Sequence, residues 1–124
     1  MRKLVFFDVD GTLMTRKNYL PSSTKQAIQE LQKNGHIPVI STGRPPEMLI
    51  PVAEELNIGS YISLNGQHVV VEGKTIYSNV LPTDTLEQLI KTSYEHGDRT
   101  FLLTEDKVIE NTFMSEMMDS DFLT

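Results

Sequence analysis

Residues 4–13 read LVFFDVDGTL, and every other part of the chain can be placed relative to this segment. Its first four residues are apolar or aromatic, which is typical of a fully buried β-strand. Two carboxylates follow, Asp8 and Asp10, and then Gly11, which lets the backbone turn, and the hydroxyl of Thr12. A charged group at the end of a buried strand costs free energy unless it is paired or bound to a metal ion. Because ligands of open α/β sheets bind at the carboxyl ends of the strands, we interpret the two carboxylates as functional.

Two carboxylates in this arrangement suit phosphoryl transfer. One can attack phosphorus and carry an aspartyl-phosphate intermediate. Together they offer Mg²⁺ a hard oxygen site, and the metal offsets the repulsion between nucleophile and phosphate. A second acid can protonate the leaving alkoxide and then deprotonate the attacking water. An isolated Asp-x-Asp pattern more often forms an N-cap or a turn, but the strand before it and the Gly-Thr after it favour the functional interpretation.

Residues 8–12, DVDGT, resemble the first motif, DxDGT, of the haloacid dehalogenase-like (HAD) hydrolase superfamily. Over nearly the whole chain, the order of the later segments resembles the Cof-type sugar-phosphate phosphatases, a branch with a large mixed α/β cap. This resemblance implies a Mg²⁺-dependent phosphatase of small phosphorylated metabolites, such as sugar phosphates. It also implies that Asp8 is the nucleophile and a metal ligand, and that Asp10 is the general acid and base and lends its backbone carbonyl to the metal. Thr12 would order this loop at the phosphate.

The next segments predict a helix and a second strand. Ser23 with Gln26 fits a capping box, and Gly35 fits the end of the helix. Residues 37–40, IPVI, then predict a second buried strand. A strand, a helix and a strand in this order form a right-handed unit with parallel strands, so the second strand should end beside Asp8.

Polar residues follow that second strand, as they follow the first. Thr42, Gly43 and Arg44 offer a hydroxyl, an open amide and a cation, which together suit a phosphate group. The alternative is an ordinary turn with an N-cap threonine and a solvated arginine, and the expected position beside Asp8 favours the phosphate site. In the resembled family, Thr42 matches the second motif, which hydrogen-bonds the transferring phosphoryl group, and Arg44 matches a common companion of that motif.

A further candidate residue follows a third predicted strand. The spacing of apolar residues over 48–56 predicts a helix, which Pro51 should kink or restart. Residues 61–64, YISL, predict the strand, and Asn65 and Gly66 follow it. From the residues alone, Asn65 fits a turn as well as it fits a substrate ligand, and the resemblance favours the substrate site.

The rest of the chain predicts two hairpins and a helix. The hairpin turns fall at Gly73-Lys74 and Glu105-Asp106, and the helix runs from a capping box of Asp84 with Glu87 to a stop at Gly97. Glu105 and Asp106 are interpreted as a solvated turn, and residues 113–118 as the start of another helix. The histidines share no ligand spacing and receive no role.

These elements predict an α/β fold with two parts. Residues 1–81 would form part of a Rossmann-like three-layer core with a parallel sheet, and residues 82–124 the first part of an α/β cap. The resemblance implies that family members resume the core after the cap, where a lysine and further acidic residues complete the site. No segment after Asn65 has a strand followed by an acidic pair that would complete this site, so we expect an N-terminal fragment. Such a fragment would bind Mg²⁺ weakly, turn over little substrate and expose surfaces that favour self-association.

Composition argues against several partners. The formal net charge is −6, without a basic run, which argues against nucleic acid or an anionic membrane as a partner. Cysteine is absent, so the chain has no disulfide framework and no thiolate metal site. No stretch is long and apolar enough to span a bilayer, and we expect a cytoplasmic protein.

Two other functions stay open at this point. A phosphoaccepting signalling receiver also groups acids at strand ends, but it needs its acceptor aspartate at the end of the third strand, where residues 63–65 read SLN. The other alternative is a catalytically inactive, truncated HAD-like binding protein.

Overall fold

The computed structural model describes residues 1–111. The strands are β1 Leu4–Phe7, β2 Ile37–Ser41, β3 Tyr61–Ser63, β4 His68–Val71, β5 Lys74–Ser78, β6 Thr100–Leu103 and β7 Val108–Asn111. The helices are α1 Ser22–Lys33, α2 Pro46–Glu55 and α3 Thr83–Glu95, with a short 3₁₀ turn at Leu64–Gly66. The strands form a five-stranded sheet in the order β1-β2-β3-β4-β5 and a separate hairpin of β6 and β7. The helix predicted to start at residues 113–118 lies outside the described residues.

The first three strands of the sheet run parallel. Phe7 of β1 lies opposite Ile40 of β2, and Ile40 lies opposite Tyr61 of β3. Because α1 and α2 carry the chain back between these strands, all three strands end at the same edge of the sheet. β4 and β5 join as antiparallel neighbours, which makes the sheet mixed. The α/β class and the parallel order of the first three strands are confirmed, whereas the division of the chain after residue 81 stays a prediction.

Helices α1 and α2 cover the same face of the sheet. Ile28 of α1 and Leu49 of α2 share one buried cluster with Ile40, and the half-buried Phe7 and Tyr61 pack against it. The other buried members of this cluster are Val9, Leu13, Val52, Ala53, Leu56 and Ile58. Two members, Val9 and Leu13, belong to the loop that carries the acidic motif. The core of the domain therefore extends directly into the candidate site.

Strand β1 is buried on one face only. Leu4 and Phe6 are 58% and 55% exposed, although the apolar run predicts a fully buried strand. β1 lies at the end of the sheet order, and no helix in residues 1–111 packs on its second face. The expectation is therefore wrong for that face. Asp8, at the end of the strand, is exposed as well, so its side chain avoids the desolvation cost that a buried strand end would impose.

Both predicted capping boxes are wrong, because proline occupies the N-cap of each helix. Pro21 precedes α1 and Pro82 precedes α3, both with extended ψ, and neither helix has a side-chain cap. Ser23 thus lies inside the first turn of α1. The two glycine stops are confirmed, with φ of +81° at Gly35 and +73° at Gly97.

Two further local predictions differ from the structure. Helix α2 continues through Pro51 without restarting, and Pro46 occupies its first turn. The β4–β5 hairpin turns at Glu72 and Gly73, one residue earlier than predicted, and both residues have positive φ, as a two-residue type I′ turn requires.

A buried polar chain ties β3, β4 and β5 together. His68 is 3% exposed, and its Nδ1 lies 3.1 Å from Oγ of the fully buried Ser63. The other ring nitrogen, Nε2, lies 3.1 Å from Oγ1 of Thr75. Both ring nitrogens thus have a partner, which is what a buried histidine requires.

Glu105 lies in the exposed turn that the sequence predicts, but its side chain also makes contacts with the sheet. Its carboxylate accepts a hydrogen bond of 2.6 Å from Oγ of Ser78 and lies 3.8 Å from Nε2 of His68. Burial, and then the charge of Glu105, raise the pKa of the Tyr61 hydroxyl. A second contact fixes the same hairpin, because the Val108 N–H donates to Oε2 of Glu47 at 2.7 Å. The β6–β7 hairpin is therefore attached to the five-stranded sheet and to α2.

The stability of the chain should depend on Ser63 and not on Ser23. Ser63→Ala leaves Nδ1 of the buried His68 without its partner and should lower the free energy of unfolding by about 1–3 kcal/mol. Ser23→Ala removes a hydroxyl that caps nothing and should change it by less than about 0.5 kcal/mol. Urea denaturation of both variants measures the difference. A decrease of about 1 kcal/mol in the free energy of unfolding of Ser23→Ala would instead support the predicted capping box.

Candidate active site

The loop after β1 is held by buried side chains and by its own backbone. Val9 is fully buried and Leu13 is 2% exposed, so both residues anchor the loop in the core. The Leu13 N–H donates to the Asp8 carbonyl, and the Met14 N–H donates to the Val9 carbonyl, at 3.3 and 2.9 Å. Gly11 takes a φ of +78°, which lets its N–H reach the Met14 carbonyl at 2.8 Å. This loop is fixed, and its inward positions are apolar.

The acidic side chains alternate with those anchors and lie at the surface. Asp8, Asp10 and Thr12 are all exposed, on a loop whose intervening Val9 is buried. Oδ1 of Asp8 accepts a hydrogen bond of 2.8 Å from the Val9 N–H, and its second oxygen has no hydrogen-bond donor within residues 1–111. The Thr12 N–H donates to the Val9 carbonyl at 3.3 Å. Asp8 thus combines a fixed orientation with one unengaged carboxylate oxygen.

The guanidinium of Arg44 donates two hydrogen bonds to the carboxylate of Asp10. Its Nε lies 3.0 Å from Oδ2 and its NH2 nitrogen 2.5 Å from Oδ1. This hydrogen-bonded pair holds the pKa of the Asp10 carboxyl below its ordinary value of 3.8 and raises the pKa of the Arg44 guanidinium. The charge of Asp8 raises the Arg44 pKa further, which places Asp8 in the same electrostatic environment. The sequence predicts that Arg44 binds phosphate. In this structure its Nε and NH2 nitrogens bind the carboxylate of Asp10 instead.

The remaining contacts of Arg44 join it to two other segments. A second hydrogen on the NH2 nitrogen points to Oδ1 of Asn18 at 3.2 Å, and NH1 donates to the Met48 carbonyl at 3.3 Å. Four of the five guanidinium N–H donors therefore have acceptors within the described residues. Arg44 connects the acidic loop, the segment around Asn18 and the first turns of α2.

Thr42, Gly43 and Asn65 form a second group, here called the cradle. The Thr42 N–H donates to the Ile62 carbonyl at 2.9 Å, and the Asn65 N–H donates to the Thr42 carbonyl at 3.3 Å. A Cβ placed on Gly43 would lie 2.8 Å from Oδ1 of Asn65, so only glycine leaves room for that side chain. Asn65 itself has a φ of +55°, which asparagine tolerates better than most residues.

The cradle offers donors that nothing in the described part of the chain uses. Oγ1 of the 7% exposed Thr42 accepts a hydrogen bond of 3.1 Å from the Arg44 N–H, as an N-cap threonine would. This leaves the hydroxyl hydrogen of Thr42 available to an oxyanion. Within residues 1–111 the N–H of Gly43 also has no acceptor. A hydroxyl, an amide N–H and a side-chain amide on adjacent strand ends suit a phosphate group.

Two oxygens of the acidic loop fit a magnesium ion. They are the second carboxylate oxygen of Asp8 and the backbone carbonyl of Asp10, to which no N–H in residues 1–111 donates. Mg²⁺ prefers hard oxygen ligands and takes one or two from protein carboxylates, with water and phosphate oxygens completing its shell. Among the described residues no cluster of three or more histidine, cysteine or acidic side chains could hold an ion. The carboxylate of Asp10 is taken up by Arg44, so the loop supplies part of a coordination shell.

Sequence reasoning missed Asn18 altogether. Residues 14–20 read MTRKNYL, with the polar residues at 15–18, and predict only a loop. The left-handed backbone at Asn18, with φ of +56°, and its contact to Arg44 appear only once the loop is folded. The hydroxyl of Thr12, by contrast, has no hydrogen-bond partner among the predicted site residues in the described part of the chain.

Comparison with known proteins places this arrangement in a family. The pattern of the family described as haloacid dehalogenase-like hydrolase matches residues 5–122. The chain belongs to this family. Within residues 1–111 none of the HAD-like chain's helices has the length and hydropathy needed to cross a membrane.

Relatives of this HAD-like chain are longer than the chain itself. It is 42% identical over 104 residues to "Putative phosphatase YkrA" of Bacillus subtilis (strain 168). The matched segment covers 84% of this chain and 40% of that protein. A crystal structure from Geobacillus kaustophilus HTA426 is 36% identical, with a TM-score of 0.85, over 89% of this chain and 43% of that one. The HAD subclass IIB sugar phosphatase BT4131 is 27% identical, with a TM-score of 0.72, over 99% of this chain and 49% of that one. The chain thus spans less than half the length of each of these relatives.

The titration of Asp10 should depend on Arg44. The depressed pKa means that the pair stabilises the fold above pH 3.8 and loses that contribution as the pH falls through the lowered value. In Arg44→Gln the Asp10 midpoint should therefore rise toward 3.8. Side-chain carboxyl carbon NMR measures it. The control is Lys25→Gln, which removes only the surface pair with Glu55 and should leave Asp10 unchanged. An Asp10 midpoint that stays low in Arg44→Gln would mean that another group depresses it.

Gly43→Ala should displace the side chain of Asn65 at little cost in stability. The added methyl group meets the flexible end of that side chain, which can move away. Gly59→Ala is the matched control, because its Cβ would lie 3.7 Å from the Glu72 Cα, an ordinary contact. Proton–nitrogen spectra should show the Asn65 side-chain amide shifting in Gly43→Ala and staying in place in Gly59→Ala. An unmoved Asn65 amide in Gly43→Ala would contradict the close packing of the cradle.

Proposed function

We propose that the protein is a Mg²⁺-dependent phosphatase of small phosphorylated metabolites, such as sugar phosphates, acting through an aspartyl-phosphate on Asp8. The observation that carries the proposal is the exposed Asp8 carboxylate, which has one unengaged oxygen on a rigid loop beside Arg44. Membership of the hydrolase family supports it. The name "Putative phosphatase YkrA" of the Bacillus subtilis relative supports the reaction, and the description of BT4131 as a sugar phosphatase supports the substrate class.

The nucleophilic step falls to Asp8. Its free oxygen attacks phosphorus, the bond between phosphorus and the ester oxygen breaks, and the phosphoryl group stays on the carboxylate. The bond from the Val9 N–H keeps the other oxygen in place during the attack. A magnesium ion bound by the Asp8 carboxylate and the Asp10 carbonyl would offset the repulsion between the two anions.

Proton transfer falls to Asp10. In its carboxylic acid form it would protonate the leaving alkoxide. The carboxylate so formed would take a proton from the water that hydrolyses the aspartyl-phosphate, which returns Asp10 to the acid form. In this structure Asp10 is the ionised partner of Arg44, the form that accepts a proton from water. The Thr42 hydroxyl, the Gly43 N–H and the Asn65 amide would hold the phosphate oxygens, and Thr12 would order the loop beside them.

Each alternative function has an observation that weighs on it. A signalling receiver would need an acceptor aspartate after β3, and that strand ends at Ser63, before Leu64 and Asn65. A non-catalytic binding protein agrees with the partial metal shell within residues 1–111. The cytoplasmic location and the absence of nucleic-acid and membrane partners stay predictions from composition, as does self-association.

A phosphatase assay separates these functions. With Mg²⁺ and p-nitrophenyl phosphate, we expect this chain to turn over little substrate, far less than the Bacillus subtilis relative under the same conditions. The reason is that its described residues supply only part of the metal shell. Asp8→Asn and Asp10→Asn should each abolish the residual turnover, because nucleophilic and acid–base contributions are both large.

Asp84→Asn is the control for that assay, because it changes an exposed aspartate on α3 that no site residue contacts. It should retain the turnover of the unchanged chain. Residual turnover that survives in Asp8→Asn would refute the assignment of the nucleophile. Turnover by this chain equal to that of the relative would show that the metal shell is more complete than its described residues indicate.

A further inference from the structure

Arg44 has a third anchor outside the acidic loop and α2. Its NH2 nitrogen donates to Oδ1 of Asn18 at 3.2 Å, as well as to Asp10. The side chain of Arg44 is only 15% exposed, whereas that of Asp10 is 59% exposed. Exposed ion pairs are weakly oriented by charge alone, because both side chains keep their rotamer freedom. Asn18 gives the guanidinium a neutral acceptor beside the charged one, on the same NH2 nitrogen.

The backbone of Asn18 is strained and held in that strain. Its φ of +56° lies in the left-handed region, which asparagine adopts at a smaller cost than most residues. Thr15 fixes this turn from both sides. Its carbonyl accepts from the Asn18 N–H at 3.0 Å, its N–H donates to the Tyr19 carbonyl at 2.8 Å, and its hydroxyl accepts from the Tyr19 N–H at 3.3 Å. Strained residues that their surroundings hold so firmly are frequent at functional sites.

We propose that Asn18 is a positioning residue, which directs the guanidinium of Arg44 onto Asp10 and away from the cradle. The inference rests on the proposed function, because it assigns Arg44 to the proton-transfer residue and not to the phosphate. Among the described residues, Asn18 and Asp10 are the only side chains that accept from Arg44; its other acceptor is the Met48 backbone carbonyl. A substitution at Asn18 thus removes a side-chain acceptor of the Arg44 guanidinium and leaves the acidic motif unchanged.

The chain offers variants that isolate this contact. Asn18→Gly deletes the acceptor and keeps a residue that adopts positive φ freely. Asn18→Asp keeps an oxygen at the same position and should restore the contact. Asn57→Gly is the matched control, because Asn57 has a φ of +53° and its hydrogen bonds within residues 1–111 all belong to its backbone. Its N–H donates to the Glu54 carbonyl, and its carbonyl accepts from the Gln32 side chain.

The test reads the two ends of the contact directly by NMR at neutral pH. The probes are the exchange rate of the Arg44 Nε–H with water and the chemical shift of the Asp10 carboxyl carbon. In Asn18→Gly the exchange rate should rise roughly tenfold, the effect of losing one hydrogen bond to a charged group. The Asp10 signal should move as its partner loosens. Asn18→Asp should return the exchange rate of the Arg44 Nε–H toward that of the unchanged chain, and Asn57→Gly should leave both signals unchanged.

Several outcomes would overturn the proposal. They are unchanged Arg44 and Asp10 signals in Asn18→Gly, equal changes in Asn57→Gly, and failure of Asn18→Asp to restore the slow exchange of the Arg44 Nε–H. The measurement needs no turnover, so it separates this inference from the proposed function. Residual turnover that survives in Asp8→Asn, together with release of Arg44 in Asn18→Gly, would refute the assigned nucleophile and keep the positioning role.

Discussion

Burial of Val9 is the constraint on which the candidate site depends. Val9 is fully buried between two acidic residues, and Leu13 is 2% exposed just beyond them. Burying side chains of this size stabilises a fold by about 1.5–3 kcal/mol each. Because neighbouring side chains of the loop point in opposite directions, the energy that places Val9 in the core also places Asp8 and Asp10 at the surface. Burial of these apolar side chains thus fixes the position of the candidate site residues.

Arg44 is the second organising residue, and it divides the site in two. On one side its fork neutralises Asp10, and on the other its backbone N–H bonds the hydroxyl of Thr42. The acidic loop and the cradle are therefore linked through one residue at the start of α2. Two carboxylates, those of Asp8 and Asp10, then face one guanidinium, so the positive charge does not fully balance the negative charge. A bound cation would complete that balance, which agrees with the unengaged oxygens of Asp8 and Asp10.

The sequence predicted the positions of several candidate residues where backbone periodicity determines them. The apolar runs of β1 and β2, and the polar residues directly after them, placed Asp8, Thr42 and Arg44 at one edge of a parallel sheet, as the structure has them. The contact of Gly43 with Asn65 likewise follows from two strand ends meeting. Such features depend on alternation and on chain direction, which a sequence carries explicitly.

Other features depend on contacts that no local pattern encodes. The partner of Arg44 depends on where Asp10 and Asn18 converge, 34 and 26 residues away along the chain. The exposure of Phe6 depends on what covers the second face of β1, and the apolar run by itself cannot show this. The capping boxes were wrong because Pro21 and Pro82 precede residues that match the capping pattern.

The central claim is that the core presents Asp8, and not Asp10, as the residue that attacks phosphorus. It is tested most directly by trapping the chain with Mg²⁺ and beryllium trifluoride, a mimic of the aspartyl-phosphate, and solving the crystal structure of the complex. The account predicts a beryllium fluoride group bonded to the free oxygen of Asp8, with Asp10 close to the fluorides. The same group bonded to Asp10, with Asp8 still unmodified, would contradict it.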